Sequence, residues 1–116
     1  MDVDGITIVR FLDRKIIDRT NIQETNQEFG HLVEEEHKYK FILNFDTVEF
    51  LSSKMLDVLV RLQKKIEGAK GKLIFCKMKP QIYEVFVITR LNGWFDIVRD
   101  EQDALRKMGT LQKVPQ

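Results

Sequence analysis

FILNFDTVEFLSSKMLDVLVRLQKKIEGAKGKLIFC, residues 41–76, changes its apolar period twice, and the fold follows from those changes. Phe41 to Phe45 is apolar except for Asn44. It is too short for a helix and too apolar for a strand with one wet face, so it reads as a buried central strand. From Ser53 the period lengthens to that of a helix over residues 53–67. Met55, Leu59, Leu62 and Ile66 share one face, Leu56 and Val60 widen it, and Lys54, Asp57, Arg61, Lys64 and Lys65 point away. Gly68 and Gly71 stop the helix, and Lys72 to Cys76 forms a second buried strand. A strand, a helical crossover and another strand imply parallel pairing in one sheet.

The flanks extend this pattern. Ile6 to Leu12 is rich in β-branched residues, and Lys15 to Ile17 follows Asp13-Arg14, which reads as an opening hairpin. Thr20 or Asn21 can cap a first helix carrying Ile22, Phe29, Leu32 and Val33. After the second buried strand, Pro80 suits the first turn of a third helix with Ile82, Val85, Phe86 and Thr89 inward, and Asn92-Gly93 breaks it. Trp94 to Val98 leads into a short strand, and Asp100 with Asp103 opens a last helix holding Ala104, Leu105 and Met108. The expected class is α/β: a mixed sheet with an N-terminal hairpin followed by alternating helices and strands. Residues 1–109 are expected to form a single domain, with 110–116 a short tail. Leu43, Phe45, Leu59, Leu62, Ile66, Leu73, Phe75, Phe86 and Leu105 are its expected core.

With 116 residues, 43% of them hydrophobic and 32% charged, the chain can bury a core without staples. Cys76, the one cysteine, excludes an internal disulfide, and its place after Leu73-Ile74-Phe75 points to a buried thiol in a reducing compartment. The chain is expected in the cytoplasm. No apolar run approaches the roughly 18 residues of a membrane helix, and the acidic start MDVDG is unlike a secretory signal. The net charge of +1 conceals an asymmetry: residues 1–50 carry 6 basic and 11 acidic side chains, residues 51–79 carry 8 and 2, and residues 80–116 carry 5 and 5. A basic middle block raises nucleic acid as a partner. The predominance of Lys over Arg, with no aromatic residues among the charges of 54–72, favours a solvated helix face instead.

No catalytic constellation can be assembled, and no cofactor is expected. His31 and Glu35 share a helix face beside Glu34, Glu36 and His37, but no further nitrogen or sulfur ligand stands near to complete a metal site. GAKGK, residues 68–72, is too short between its glycines for a phosphate loop and leads from helix into strand, the wrong direction. The serine pair Ser52-Ser53 survives. Either serine can cap the helix, and a phosphate placed there would meet free N–H groups and the positive end of the dipole. Ser53 is expected to be both cap and acceptor, with Ser52 the alternative acceptor.

Taken in succession, residues 41–105 resemble the STAS domain of bacterial anti-sigma factor antagonists. Phe50-Leu51 lead into the family's turn, Leu56 holds its leucine, and Gly71-Lys72-Leu73 enters the next strand. Leu91, Phe95, Ile97, Ala104 and Leu105 match the C-terminal pattern. Ser53 falls on the family's phosphorylated serine, whereas Ser52 replaces an aspartate, Lys54 a small residue and Met55 a glycine. The resemblance implies a regulatory binding module without enzymatic activity, whose partner is an anti-sigma factor with a kinase-like fold. It would contact that partner through Ser52, Ser53, Lys54, Asp57 and Arg61, be released by phosphorylation, and exist as a monomer or weak dimer. The alternative is a divergent module of the same family that senses a small ligand or serves as a constitutive scaffold.

Overall fold

The computed structural model describes residues 2–3, 5–11, 15–16 and 19–109. Its main sheet has five strands: β1 (Asp2–Val3), β2 (Ile6–Arg10), β4 (Lys40–Asn44), β6 (Lys72–Cys76) and β7 (Asp96–Val98). They stand in that spatial order, with β1 antiparallel to β2 and every other pairing parallel. A separate two-stranded parallel sheet joins β3 (Lys15–Ile16) to β5 (Phe50–Leu51). The described residues also form four helices: α1 (Arg19–Glu34), α2 (Ser53–Gly68), α3 (Pro80–Ile88) and α4 (Glu101–Met108).

The apolar runs of β4 and β6 are explained by two covered faces. Phe41, Leu43, Leu73 and Phe75 meet Ile22, Phe29 and Val33 of α1, the inner stripe of α2, and Ile82 and Phe86 of α3 in one cluster. Ile42, Ile74 and Cys76 point the other way and, with Ile6 and Ile8, pack under Ala104 of α4. Alternation within a strand therefore separates two apolar layers rather than an apolar one from water. Phe75 ties α3 and the segments after β4 and before β7 together in the larger cluster: its ring lies 4.7 Å from Phe95, 5.2 Å from Phe45 and 5.7 Å from Phe86.

The mixed sheet and alternating elements are as read from the sequence, with corrections. The hairpin is formed by β1 and β2 across Gly5, whose φ of 81° suits the tight turn, not by Ile6–Leu12 with Lys15–Ile17. Both edges of β2 are already taken, by β1 and β4, so Lys15-Ile16 pairs with β5 instead. Leu12, Asp13, Arg14 and Ile17 lie outside the described residues, as does 110–116. Thr20 and Asn21 are inside α1, which begins at Arg19, rather than ahead of it as caps. Thr89 is exposed at the end of α3 and turns its hydroxyl back to donate to the Val85 carbonyl at 2.7 Å. Leu105 is only half-buried because the smaller Ala104 occupies the contact with the sheet. The other expected core residues are buried.

Gly71 is required by a close approach. A Cβ there would stand 2.0 Å from the Tyr39 carbonyl oxygen, the same oxygen that accepts from Lys72 N–H at 2.8 Å where β6 enters beside β4.

Candidate functional site

The loop between β4 and α2 leaves the carboxyl end of a central parallel strand, the position where open α/β sheets commonly place their sites. Its path is fixed by polar contacts at its start. Asn44, buried at the end of β4, accepts from Asp46 N–H through Oδ1 at 2.8 Å and donates through Nδ2 to Glu101 Oε2 at 2.6 Å. Glu101 also receives a bidentate pair from Arg10, Nε at 2.9 Å and Nη2 at 2.7 Å. The Arg10 guanidinium holds the Glu101 carboxyl below the ordinary glutamate value, with the Asn44 amide contributing in the same direction against partial burial. Lys79 donates to the Asp46 carbonyl, Thr47 donates its hydroxyl to the Phe11 carbonyl, and Phe45 N–H donates to the Cys76 carbonyl at 2.9 Å. Val48 is fully buried and closes the turn by donating to the Phe45 carbonyl at 3.0 Å.

The chain then runs through β5, with Phe50 outward and Leu51 inward, to the two serines. Ser52 has extended backbone, φ −82° and ψ 162°, and its Oγ accepts from Met55 N–H at 3.2 Å. It is the N-cap. Ser53 is already the first helical residue and is exposed, and its hydroxyl makes no hydrogen bond with the described residues. The double duty expected of Ser53 is thus corrected: its side chain leaves the helix where Ser52 caps, because only the residue ahead of the first turn can aim an oxygen at the free N–H groups. Ser52 takes the role of cap and Ser53 that of an exposed hydroxyl.

Lys54, Asp57 and Arg61 are exposed on α2, with Ser53, Asp57 and Arg61 following one another at four-residue steps. The structure therefore brings every site residue singled out from the sequence to one helix face and its N-terminus. Met55 is fully buried and adds nothing to the outer surface. Among the described residues no cluster of three or more His, Cys, Asp or Glu side chains could hold a metal. His31 pairs instead with Glu36 at 3.0 Å and Glu35 at 3.5 Å on an exposed helix end. The cations of the middle block are partly committed: Lys65 lies 3.6 Å from Glu34, and Lys72 lies 3.1 Å from Asp96. Burial pushes the Cys76 thiol up to about 12, which makes it an inert core group. Among the described residues no helix is long and apolar enough to cross a membrane.

Sequence reasoning missed the Arg10–Glu101–Asn44 network and the outward-facing Phe50. The one available signal was Asn44 itself, a polar side chain ending a run otherwise destined for burial.

A model of the STAS domain matches residues 2–104. The chain is 22% identical over 102 residues to BtrV of Bordetella bronchiseptica, a provisionally named anti-sigma factor antagonist, covering 88% of this chain and 85% of that protein. Among solved structures, a provisionally named anti-sigma factor antagonist of Thermotoga maritima shares the fold with a TM-score of 0.83 at 20% identity, over 92% of this chain and 90% of that one. The Bacillus cell fate determinant SpoIIAA in its phosphorylated form matches with a TM-score of 0.72 at 17% identity, over 92% and 94% of the two chains. A family match spanning β1 to α4, together with the serine turn and the shared fold, means that the chain belongs to the STAS domain family.

Proposed function

We propose that this protein is an anti-sigma factor antagonist that captures an anti-sigma factor of kinase-like fold through the Ser53 turn and the exposed face of α2, and is released when Ser53 is phosphorylated. The observation that carries this reading is the exposed Ser53 hydroxyl, without a hydrogen-bond partner among the described residues, beside a cap that does not need it. A phosphate on Ser53 would add about −1.5 to −2 charges at the positive end of a helix, where the fold tolerates it and a dry or acidic partner surface does not. Lys54 stands next to it as a cation able to pair with phosphate. In this reading the serine is a substrate, and the protein has no turnover of its own. The name of BtrV and the phosphorylated form of SpoIIAA are in keeping with it.

The burial of Met55 argues against the scaffold alternative, since the lost family glycine leaves the outer surface of the turn unobstructed. Nucleic acid is disfavoured by the acidic Asp57 and Glu67 interspersed on the same helix.

The test is to incubate the protein with the purified kinase-like anti-sigma factor of the source organism and Mg-ATP, map the phosphosite, and measure affinity. Phosphate should map to Ser53, and Ser53→Asp should stay folded while binding poorly. Ser53→Ala should bind and resist modification, and Ser52→Ala should still be modified. Phosphate on Ser52, or a Ser53→Asp protein that binds like the parent, would sink the switch.

A further inference from the structure

Asn44 ends β4 after the buried Phe41, Ile42 and Leu43, and is itself only 7% exposed. An amide in such a place is costly unless both its ends are paired. Both are: Oδ1 accepts from Asp46 N–H at the start of the loop that leads to Ser53, and Nδ2 donates to the Glu101 carboxylate at the start of α4. Strand register brings in the third member. Arg10 stands opposite Asn44 where β2 pairs with β4, and from there its guanidinium reaches the same carboxylate. Glu101 is fixed from its own side as well, because Asp100 caps α4 by accepting from Asp103 N–H at 2.9 Å. Beyond Asn44 the chain alternates inward and outward side chains: Val48 and Leu51 are buried, while Asp46, Thr47, Glu49 and Phe50 are exposed ahead of the serines.

We infer that Asn44 and Glu101 are positioning residues for the Ser53 site, holding the chain ahead of the acceptor in the form on which the kinase-like partner docks. The inference rests on the reading under Proposed function and adds what sets the efficiency of the modification. An enzyme that modifies a protein must hold the chain around its acceptor in one geometry, and a small misplacement there is expensive. Neither residue is placed to be read directly. Asn44 is buried, and the Glu101 carboxylate, 22% exposed, is occupied by Arg10 and Asn44. Their influence therefore passes through the backbone of residues 46–50. With the Asn44 pairs intact that segment is held in one form; with them broken, the accepted form is only a share of the population, and apparent affinity falls by that share. Such a loss raises KM and spares kcat, because a docked chain is already in the accepted form. Lys79 and Thr47 also hold the loop, but with side chains that a partner can reach, so only Asn44 and Glu101 separate positioning from contact.

The test takes the parent, Asn44→Ala, Glu101→Ala and the double variant Asn44→Asp/Glu101→Gln, which exchanges donor and acceptor and so rebuilds the contact in reverse. Thermal melts establish that each is folded at the assay temperature, and Glu101→Ala, at the rim of the sheet, carries the comparison if Asn44→Ala is not. Amide hydrogen exchange on the free proteins reads the loop without any partner. In both alanine variants the amides of residues 46–50 should exchange about tenfold faster, while Ile74 and Phe75 of β6 stay slow. Phosphorylation by the purified kinase-like anti-sigma factor with Mg-ATP then reads the consequence. KM for transfer to Ser53 should rise about fivefold with kcat within about twofold of the parent, and the double variant should return exchange and KM to within about twofold. Unchanged exchange in the alanine variants overturns the inference whatever the kinase does. Faster exchange with KM unmoved confines the contact to the fold; it overturns the positioning role and leaves the switch standing. A fall in kcat alone would place the effect in the transfer step, and a double variant as impaired as the single ones would deny that the contact itself matters; each overturns the assignment. A parent that takes no phosphate on Ser53 overturns the switch and the positioning role together.

Discussion

Replacing Ser52 by alanine should destabilise the protein, and replacing Ser53 should not, although the two residues are adjacent and identical. The Ser52 hydroxyl satisfies the Met55 N–H at the start of α2, a helix whose inner face carries Met55, Leu59, Leu62 and Ile66 into the main core. Loss of an N-cap of this kind costs about 1 kcal/mol, within a range of about 0.5–2. For a domain of this size that lowers Tm by roughly 4–8 °C per kcal/mol. Ser53→Ala removes a hydroxyl with no partner among the described residues and introduces a better helix former, so the change should lie within about 0.5 kcal/mol of zero. The double variant should cost no more than Ser52→Ala alone. Ser52→Asp should restore the cap and add a carboxylate at the positive end of the helix, leaving stability equal to the parent or higher by up to about 1 kcal/mol. Urea denaturation followed by far-ultraviolet circular dichroism reads all four, provided that m is unchanged. Equal losses from Ser52→Ala and Ser53→Ala would refute the division of labour between the serines. So would a Ser52→Asp protein as unstable as Ser52→Ala.

Other substitutions probe the frame around the turn. Leu59→Ala, at a fully buried site between helix and sheet, should cost about 2–5 kcal/mol in the same denaturation assay, and a loss below about 0.5 would deny that burial. Gly71→Ala should cost more than about 2 kcal/mol, because its Cβ would displace the Tyr39 carbonyl from the strand entry; a neutral melt would show that the approach relaxes freely. Arg90→Gly should stabilise by about 0.5–1 kcal/mol, since Arg90 holds a φ of 62° that glycine adopts without strain, and a lower Tm would contradict this. The lowered carboxyl of Glu101 contributes stability that is fully present above its unfolded value and lost as pH falls through its folded value. The parent should therefore lose stability on acidification below about pH 4.5 more steeply than Glu101→Gln, and parallel acid limbs would count against the Arg10 contact.

Legibility in the sequence followed the range of the interaction. α2, β4 and β6 declare themselves because each runs for several residues at one period and each period is set by burial. β3 and β5 are two residues long and have no period to read; they are strands only because they meet each other. The opening hairpin was misplaced for the same reason, since the pairing of β2 depends on β4, which lies more than a helix away in the chain. Turns after α1, α2 and α3 use His37, Lys70 and Arg90 at positive φ, where the residue type does not announce a left-handed turn as glycine would. At the site, the serine pair was visible as a helix start, but choosing the cap required backbone angles. The link from Arg10 to Glu101 spans 91 positions, and no local pattern in a single chain encodes it.

The loop that carries the serines is held by Asn44 beneath it, Lys79 across it and Val48 inside it, and the Asn44 contact is braced in turn by Glu101 and Arg10. Such a segment has little room to populate a second conformation, and a modification can shift only states that exist. Information written on Ser53 would then be carried as a surface label rather than as a change of shape. Its reader would have to touch the serine directly, and the far side of the sheet under α4 would be indifferent to whether anything had been written.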